Sequence, residues 1–132
     1  MSRTDRVMKS PFPAGYIPKY FSRTEFQLAT PPCELEDMDE LFLRKLDKLR
    51  EYCGFPLSVN CFYRSVEWDK AHGRDGHSFH CKGRAADIRC LDSTKRFKIL
   101  QYATMCGLNG IGVYKRFIHV DDRPSGVCWY GE

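Results

Sequence analysis

Three side chains in this sequence have types and spacings suited to metal chemistry. His80 and Asp87 stand seven residues apart in Ser78-Phe79-His80-Cys81-Lys82-Gly83-Arg84-Ala85-Ala86-Asp87, and His119 lies in Phe117-Ile118-His119-Val120-Asp121. Two imidazoles and one carboxylate are ligands that zinc accepts. Three of them leave a fourth tetrahedral position open, which is the ligand count of a hydrolytic site rather than a closed structural one. An open position lets a zinc ion acidify water and polarise a carbonyl. The same residues are also compatible with no metal at all, as unrelated polar groups on loops and a sheet edge. The fold decides between the two by bringing the three side chains together or keeping them apart.

Strand alternation supplies a way to bring them together. Arg84 to Cys90 reads as a strand in which Ala85, Asp87 and Arg89 share one face and Ala86, Ile88 and Cys90 share the other, apolar face. Phe117 to Asp121 reads as a second strand, with Phe117, His119 and Asp121 on one face and Ile118 and Val120 opposite. Neighbouring placement of these strands, both apolar faces in the core, stands Asp87 and His119 together on one surface. His80 then enters from the loop just before the first strand. Gly83 and the two alanines leave room for close approach of ligand and backbone.

The rest of the chain reads as the scaffold for this pair. Residues 1–20 form an extended lead-in, with Pro11, Pro13 and Pro18 holding the backbone near polyproline or β conformations. Phe12, Tyr16, Ile17 and Tyr20 are available to pack onto the body. Residues 21–132 form one domain. Ser22-Arg23-Thr24-Glu25 is a capping box that opens a short helix through about Leu28, ended by Pro31-Pro32. Leu35 to Cys53 reads as one helix, with Leu35, Met38, Leu41, Phe42, Leu46, Leu49 and Cys53 at three- and four-residue steps. Lys45, Asp47, Lys48 and Arg50 fill its solvated side, and Gly54 stops it.

Pro56 to Tyr63 reads as a strand in which Leu57, Val59, Cys61 and Tyr63 share a face. Ser65 caps a short helix to about His72, and Gly73-Arg74-Asp75-Gly76 forms a loop. Asp92 or Ser93 caps a helix from Thr94 to Cys106, with Phe97, Leu100, Ala103 and Met105 as its apolar stripe. Ile111–Tyr114 and Phe117–Asp121 follow as a hairpin, and Trp129 and Tyr130 fold back from the tail. These elements predict an α+β fold: a small antiparallel sheet with helices packed on one side and the candidate ligands on the other.

Composition limits the function classes. The chain has 132 residues, 42% hydrophobic and 29% charged, and a net charge of +4 with Lys and Arg scattered rather than clustered. That balance does not point to nucleic acid, and no segment is long and apolar enough to cross a membrane. Seven cysteines, Cys33, Cys53, Cys61, Cys81, Cys90, Cys106 and Cys128, are an odd number with no C-x-x-C pair. A zinc ribbon and a fully paired disulfide framework are therefore excluded, and buried reduced thiols are expected. The expected state is a monomer.

The ordered run Ser78-x-His80-x-x-Gly83-x-Ala85-x-Asp87 followed by His119-Val120-Asp121 resembles the signature of zinc peptidases of the D-alanyl-D-alanine carboxypeptidase type. These include the VanX and VanY enzymes and phage L-alanyl-D-glutamate endopeptidases, which belong to peptidase family M15. The resemblance is to its small branch ending in His-Val-Asp. Phe62-Tyr63-Arg64-Ser65 resembles the aromatic-Arg-Ser stretch before the metal motif. Phe21-Ser22-x-x-Glu25-Phe26 resembles the start of small members, and Gly110-x-Gly112-x-Tyr114 resembles part of their C-terminal hairpin.

The likeness covers roughly residues 20 to 123. It implies the Hedgehog/D-Ala-D-Ala-peptidase fold, Zn2+ on His80, Asp87 and His119, and hydrolysis of peptide bonds in peptidoglycan stems, as carboxypeptidase or endopeptidase. A catalytically silent domain of the same fold, binding cell-wall peptide or a protein partner, is the competing reading. The resemblance also implies that Arg64 faces the substrate and stabilises negative charge; by residue chemistry alone Arg64 can equally pair with Glu67 or Asp69. Ser78 can hydrogen-bond substrate or cap its loop.

The chain departs from this pattern at one position. VanX-like members carry a glutamate three residues before the last histidine, and Arg116 stands there. An arginine accepts no proton. Asp121, on the strand face of His119, is the nearest remaining carboxylate, better placed to orient His119 than to act as a base. His77 is the other candidate base. Asp122 lies on the opposite face, and His72 only ends a helix. Cys81 points away from His80 as a bystander thiol. The first 20 residues contain no run of signal-peptide length, so synthesis in the cytoplasm is expected. The wall would then be reached by phage-type release, unless this sequence is a piece of a longer chain.

Overall fold

The computed structural model describes residues 15–132. The expectations for Pro11, Phe12 and Pro13 lie outside the described residues. Among the described residues, four α-helices and five strands form an α+β fold. The helices are α1 (Arg23–Leu28), α2 (Glu40–Cys53), α3 (Val66–Ala71) and α4 (Ser93–Met105). The strands are β1 (Ser58–Cys61), β2 (Ala85–Arg89), β3 (Gly110–Val113), β4 (Phe117–Asp121) and β5 (Val127–Tyr130). Short 3-10 turns lie at Leu35–Asp37 and Phe79–Lys82.

The sheet order is β1-β2-β4-β3-β5. The pairs β1–β2, β2–β4 and β4–β3 are antiparallel, as expected. The last pair is not: β5 runs parallel to β3, which makes the sheet mixed. The segment 122–126 carries the chain back across the sheet before β5 begins, so the tail starts its strand beside Gly110 rather than beside Val113.

Helix α2 begins later than its periodicity predicted. Met38 and Asp39 are extended, and Asp39 caps the helix by accepting from Phe42 N at 3.0 Å. The buried stripe is Phe42, Leu43, Leu46, Leu49 and Cys53, while Leu41 points outward. Asp47 is buried, not solvated. Its carboxylate accepts from Tyr16 Oη at 2.5 Å, Lys19 N at 2.8 Å and Tyr20 N at 3.1 Å, tying residues 16–20 to the helix. Ile17 in that stretch stays exposed.

Helix α4 is capped by Asp92, which accepts from Lys95 N. It buries Ile99 and Ala103, whereas Phe97 and Met105 of the expected stripe face solvent. Arg96 fixes the rotation of this helix by donating to Cys90 O and Tyr114 O. Ile99 lies less than one turn onward on that inward side, and Phe97 is turned nearly opposite Ile99.

The core lies between α1, α2 and α4 and one face of the sheet; α3 adds nothing to it, and its Asp69 lines the cleft on the ligand side instead of packing with the other helices as expected. Ala86 and Ile88 of β2 and Ile118 and Val120 of β4 pack there with Leu46, Leu49 and Ile99. The other sheet face carries the candidate ligands. Gly83 serves this packing rather than ligand approach: its φ is +69°, and a Cβ would fall 2.3 Å from Asp37 O. The bend it allows brings its own carbonyl to Asp39 N at 2.9 Å. All seven cysteine thiols are free, five of them buried; Cys106 is half-buried and Cys128 exposed.

Candidate metal centre

Asp87 and His119 are direct partners across β2 and β4, held there by five consecutive pairs from Ala85–Asp121 to Arg89–Phe117. His80 reaches them from the 3-10 turn Phe79–Lys82, which Gly83 closes. All three side chains are buried. His80 Nε2 and His119 Nδ1 each lie 3.1 Å from the same oxygen, Asp87 Oδ1.

The outer nitrogen of each ring identifies the inner one. His80 Nδ1 lies 2.7 Å from Phe62 O, and a carbonyl only accepts, so Nδ1 donates there. His119 Nε2 lies 2.7 Å from Asp121 Oδ2 and donates to that carboxylate. Each neutral imidazole therefore turns a lone pair toward Asp87 Oδ1. Three acceptor atoms facing one another in a buried site require positive charge, either extra protons on the rings or a metal ion. Two ring nitrogens and a carboxylate oxygen are a donor set that zinc favours, so these residues fit such an ion.

The electrostatics agree in direction. Burial opposes ionisation of Asp87, but the charge and hydrogen bonds of His80 and His119 outweigh it and hold the carboxyl well below its usual range. Burial disfavours the His119 imidazolium, yet Asp121 and Asp87 on its two sides outweigh that and raise its pKa. Burial likewise opposes the Asp121 carboxylate, which Arg123 and His119 nevertheless keep well below the usual range.

Asp121 is fully enclosed and already engaged. Besides His119, it accepts from Arg123 Nε at 2.8 Å, Nη2 at 2.7 Å and backbone N at 3.2 Å. This geometry suits a carboxylate that orients His119, not one that takes a proton from the cleft. Arg116 is exposed in the β3–β4 turn, and Asp122 accepts from Arg84 at 2.6 Å, away from the ligands.

Above the three side chains opens a cleft of about 790 Å³. Arg64 lines it while nearly buried. Its Nε pairs with Asp69 Oδ1 at 2.8 Å, and its Nη2 donates to Ser78 Oγ at 3.2 Å. Of the pairings open to it in the sequence, Arg64 takes Asp69, and it still presents an edge to the cleft. His77 sits at the rim, exposed, with Nδ1 3.7 Å from Asp75 Oδ1. His72 stacks on Trp68 with ring centroids 3.7 Å apart and is not among the cleft-lining residues. Cys81 turns away from the ligands toward Asp69 Oδ2, 3.4 Å off.

Residues at the site that were not assigned to it from the sequence include Cys61, Trp129 and Arg123. Cys61 was expected on the same face as Val59. A bulge intervenes: Val59 pairs with Ile88, and Cys61, two residues on, pairs with Asp87. The extra residue moves Cys61 to the ligand side. Its Sγ is 3.5 Å from His80 Nδ1, and ligand atoms of Cys61, His80 and Asp87 all lie within 4.8 Å of one another. Burial first, then the nearby Asp87 carboxylate, pushes the thiol up to about 12. Sulfur binds zinc as a thiolate, so Cys61 is a poor competitor for the ion unless its proton is lost.

The second is Trp129 on β5. Its ring lies 5.2 Å from that of His119, and its Nε1 donates to Tyr114 Oη at 2.9 Å. Gly112 makes room for it, since a Cβ there would come within 2.7 Å of the indole. Arg123 spans the cleft between Phe79 and Trp129, 4.8 and 5.1 Å from the two ring centroids.

No curated protein matches this chain. A family model described as Peptidase M15 does, over residues 19–121, which takes in all three ligand candidates, Arg64 and Ser78 but leaves out β5. A match over most of the chain establishes kinship, and the chain belongs to the M15 peptidase family, whose members are generally zinc-dependent.

Proposed function

We propose that the protein is a zinc metallopeptidase that binds the ion through His80, Asp87 and His119 and hydrolyses peptide bonds in peptidoglycan stem peptides, as carboxypeptidase or endopeptidase. The observation that carries this reading is the convergence of His80 Nε2 and His119 Nδ1 on Asp87 Oδ1 at the floor of an open cleft. Zinc held there supplies a Lewis acid for the scissile carbonyl and acidifies water. Arg64 is held in one orientation by Asp69, and its Nη2 edge, with Ser78, receives the substrate carbonyl and stabilises charge that develops on it. Asp121 holds the Nε2 proton of His119 and so fixes the ring. His77, at the rim, is the group that moves a proton to or from the cleft.

Metal analysis of protein purified without chelator, together with digestion of purified peptidoglycan, tests the proposal. One zinc per chain and release of stem fragments are expected. A metal-free protein that releases no fragments overturns it.

A second reading has one observation in its favour. Among the described residues lining the cleft, each carboxylate already has a cationic or histidine partner, and Arg116 stands where VanX-like members, though not many of the small ones, carry glutamate. A silent, zinc-containing domain that binds cell-wall peptide is consistent with that. Zinc retained with background hydrolysis, unchanged in His77→Ala, favours the silent domain. Hydrolysis that collapses in His77→Ala with zinc retained favours the enzyme.

A further inference from the structure

The arginines lining the cleft are paired within the protein, with one exception. Arg64 pairs with Asp69 at 2.8 Å; Asp87 lies against both ligand histidines, and Asp75 stands 3.7 Å from His77, which balances it only when protonated. Arg123, which also lines the cleft, is closed off by Asp121 at 2.7 Å. Arg74 is the exception. It lines the same cleft and is exposed, and among the described residues it has no carboxylate at ion-pair distance.

Arg74 is not loosely tethered. Its backbone N donates to Asp69 O at 3.0 Å, and its guanidinium lies 5.8 Å from the centroid of the Trp68 ring. The Arg64 guanidinium lies 6.0 Å from that same ring. One indole thus lies near both the arginine proposed to hold the scissile carbonyl and an arginine with no ion-pair partner among the described residues. The Asp69 that pairs with Arg64 also anchors the Arg74 backbone, so the two guanidiniums are referenced to one residue.

We infer that Arg74 is a specificity-determining residue that receives a free carboxylate of the substrate, so that the cleft selects peptides bearing an anionic group close to the bond it acts on. A guanidinium fork suits a carboxylate, and an exposed arginine without an ion-pair partner is free to take one. An extended peptide advances about 3.5 Å per residue, which places that carboxylate within about three residues of the bond held at Arg64. This rests on the peptidase reading for the position of the scissile bond. The shared chemistry has two sources in a stem peptide, the C-terminal carboxylate and the α-carboxyl of a γ-linked glutamate.

The test uses the zinc-loaded protein and N-acetyl-L-alanyl-γ-D-glutamyl-L-lysyl-D-alanyl-D-alanine in three forms: unmodified, amidated at the C-terminus, and amidated at the glutamate α-carboxyl. Affinity is read as KM where there is turnover and as a calorimetric Kd where there is none. One of the two amidations is expected to weaken binding by about tenfold, with kcat little changed. The sensitive arm identifies which carboxylate Arg74 takes. Arg74→Gln is expected to bind the free and amidated forms alike, and Arg74→Lys to recover part of the preference. Discrimination that persists in Arg74→Gln, insensitivity of the wild type to both amidations, or no binding of any form overturns the inference. Discrimination that depends on Arg74 in a protein without turnover sustains this inference while sinking the peptidase reading. Turnover with no dependence on Arg74 does the reverse.

Discussion

Asp87 and His119 face each other as direct cross-strand partners, and a single oxygen of Asp87 stands 3.1 Å from the Nδ1 of His119. Behind the same imidazole, Asp121 stands 2.7 Å from Nε2. His119 is therefore clasped between two carboxylates, one facing the cleft floor and one facing Arg123. This arrangement has consequences for metal affinity, for its pH dependence and for the part played by the nearby thiol.

Replacing the outer carboxylate leaves the ligand set whole but frees the ring. Asp121→Asn is expected to weaken zinc binding by about 10- to 100-fold. Competition with a chromophoric chelator measures this directly. An affinity equal to that of the wild type would falsify the orienting role assigned to Asp121.

Zinc and a proton compete for Nδ1 of His119. The two carboxylates raise the pKa of this histidine above its ordinary value despite the opposing effect of burial. In the metal-free protein the ring is thus protonated to a higher pH than a free imidazole, and zinc must displace that proton. Zinc affinity is expected to fall with decreasing pH from above about 6.5, the ordinary imidazole value. Titrations of zinc binding between pH 5 and 8 check this, with a proton released from His119 per ion bound on the acid side and the release declining to none on the alkaline side. A flat affinity across that range is the contrary outcome.

Cys61 offers the alternative third ligand to His80 and Asp87, and its sulfur contacts the outer nitrogen of His80. With its thiol pushed up to about 12, it is expected to remain protonated beside the histidines and contribute packing only. Cys61→Ala should keep one zinc per chain at nearly the same affinity and lose about 1 kcal/mol of stability from the missing buried group. His119→Ala should lose the zinc. If Cys61→Ala releases the ion instead and His119→Ala retains it, the ligand set is the cysteine one.

The pair at the centre of the site was legible because alternation is a local property. Ile88, Ile118 and Val120 mark the core face, so Asp87 and His119 had to share the other. The absence of a glutamate near His119 was equally plain at Arg116. Cys61 was not legible. Its face is set by a register shift after Val59, and no residue type there announces a bulge. Trp129 was expected to fold back, but its position over His119 depends on a parallel pairing of the tail with β3, a long-range event. Asp47 looked like one charge among several on a solvated helix face. Its burial is fixed by three donors from residues 16–20, far away in the chain. Phe97 and Met105 were read as core by hydrophobicity, while the rotation of their helix is fixed by the hydrogen bonds of Arg96.

The unequal anchoring of the strands also governs how the site breathes. β4 is flanked by β2 and β3, whereas β5 is paired only with β3 at the edge of the sheet. Edge elements with one neighbour open at lower free energy than central ones, and their amides exchange with solvent sooner. The Trp129 wall can therefore come away from His119 while β2 and β4 keep their register. Such local opening widens the cleft beside His119 without disturbing the side chains on its floor.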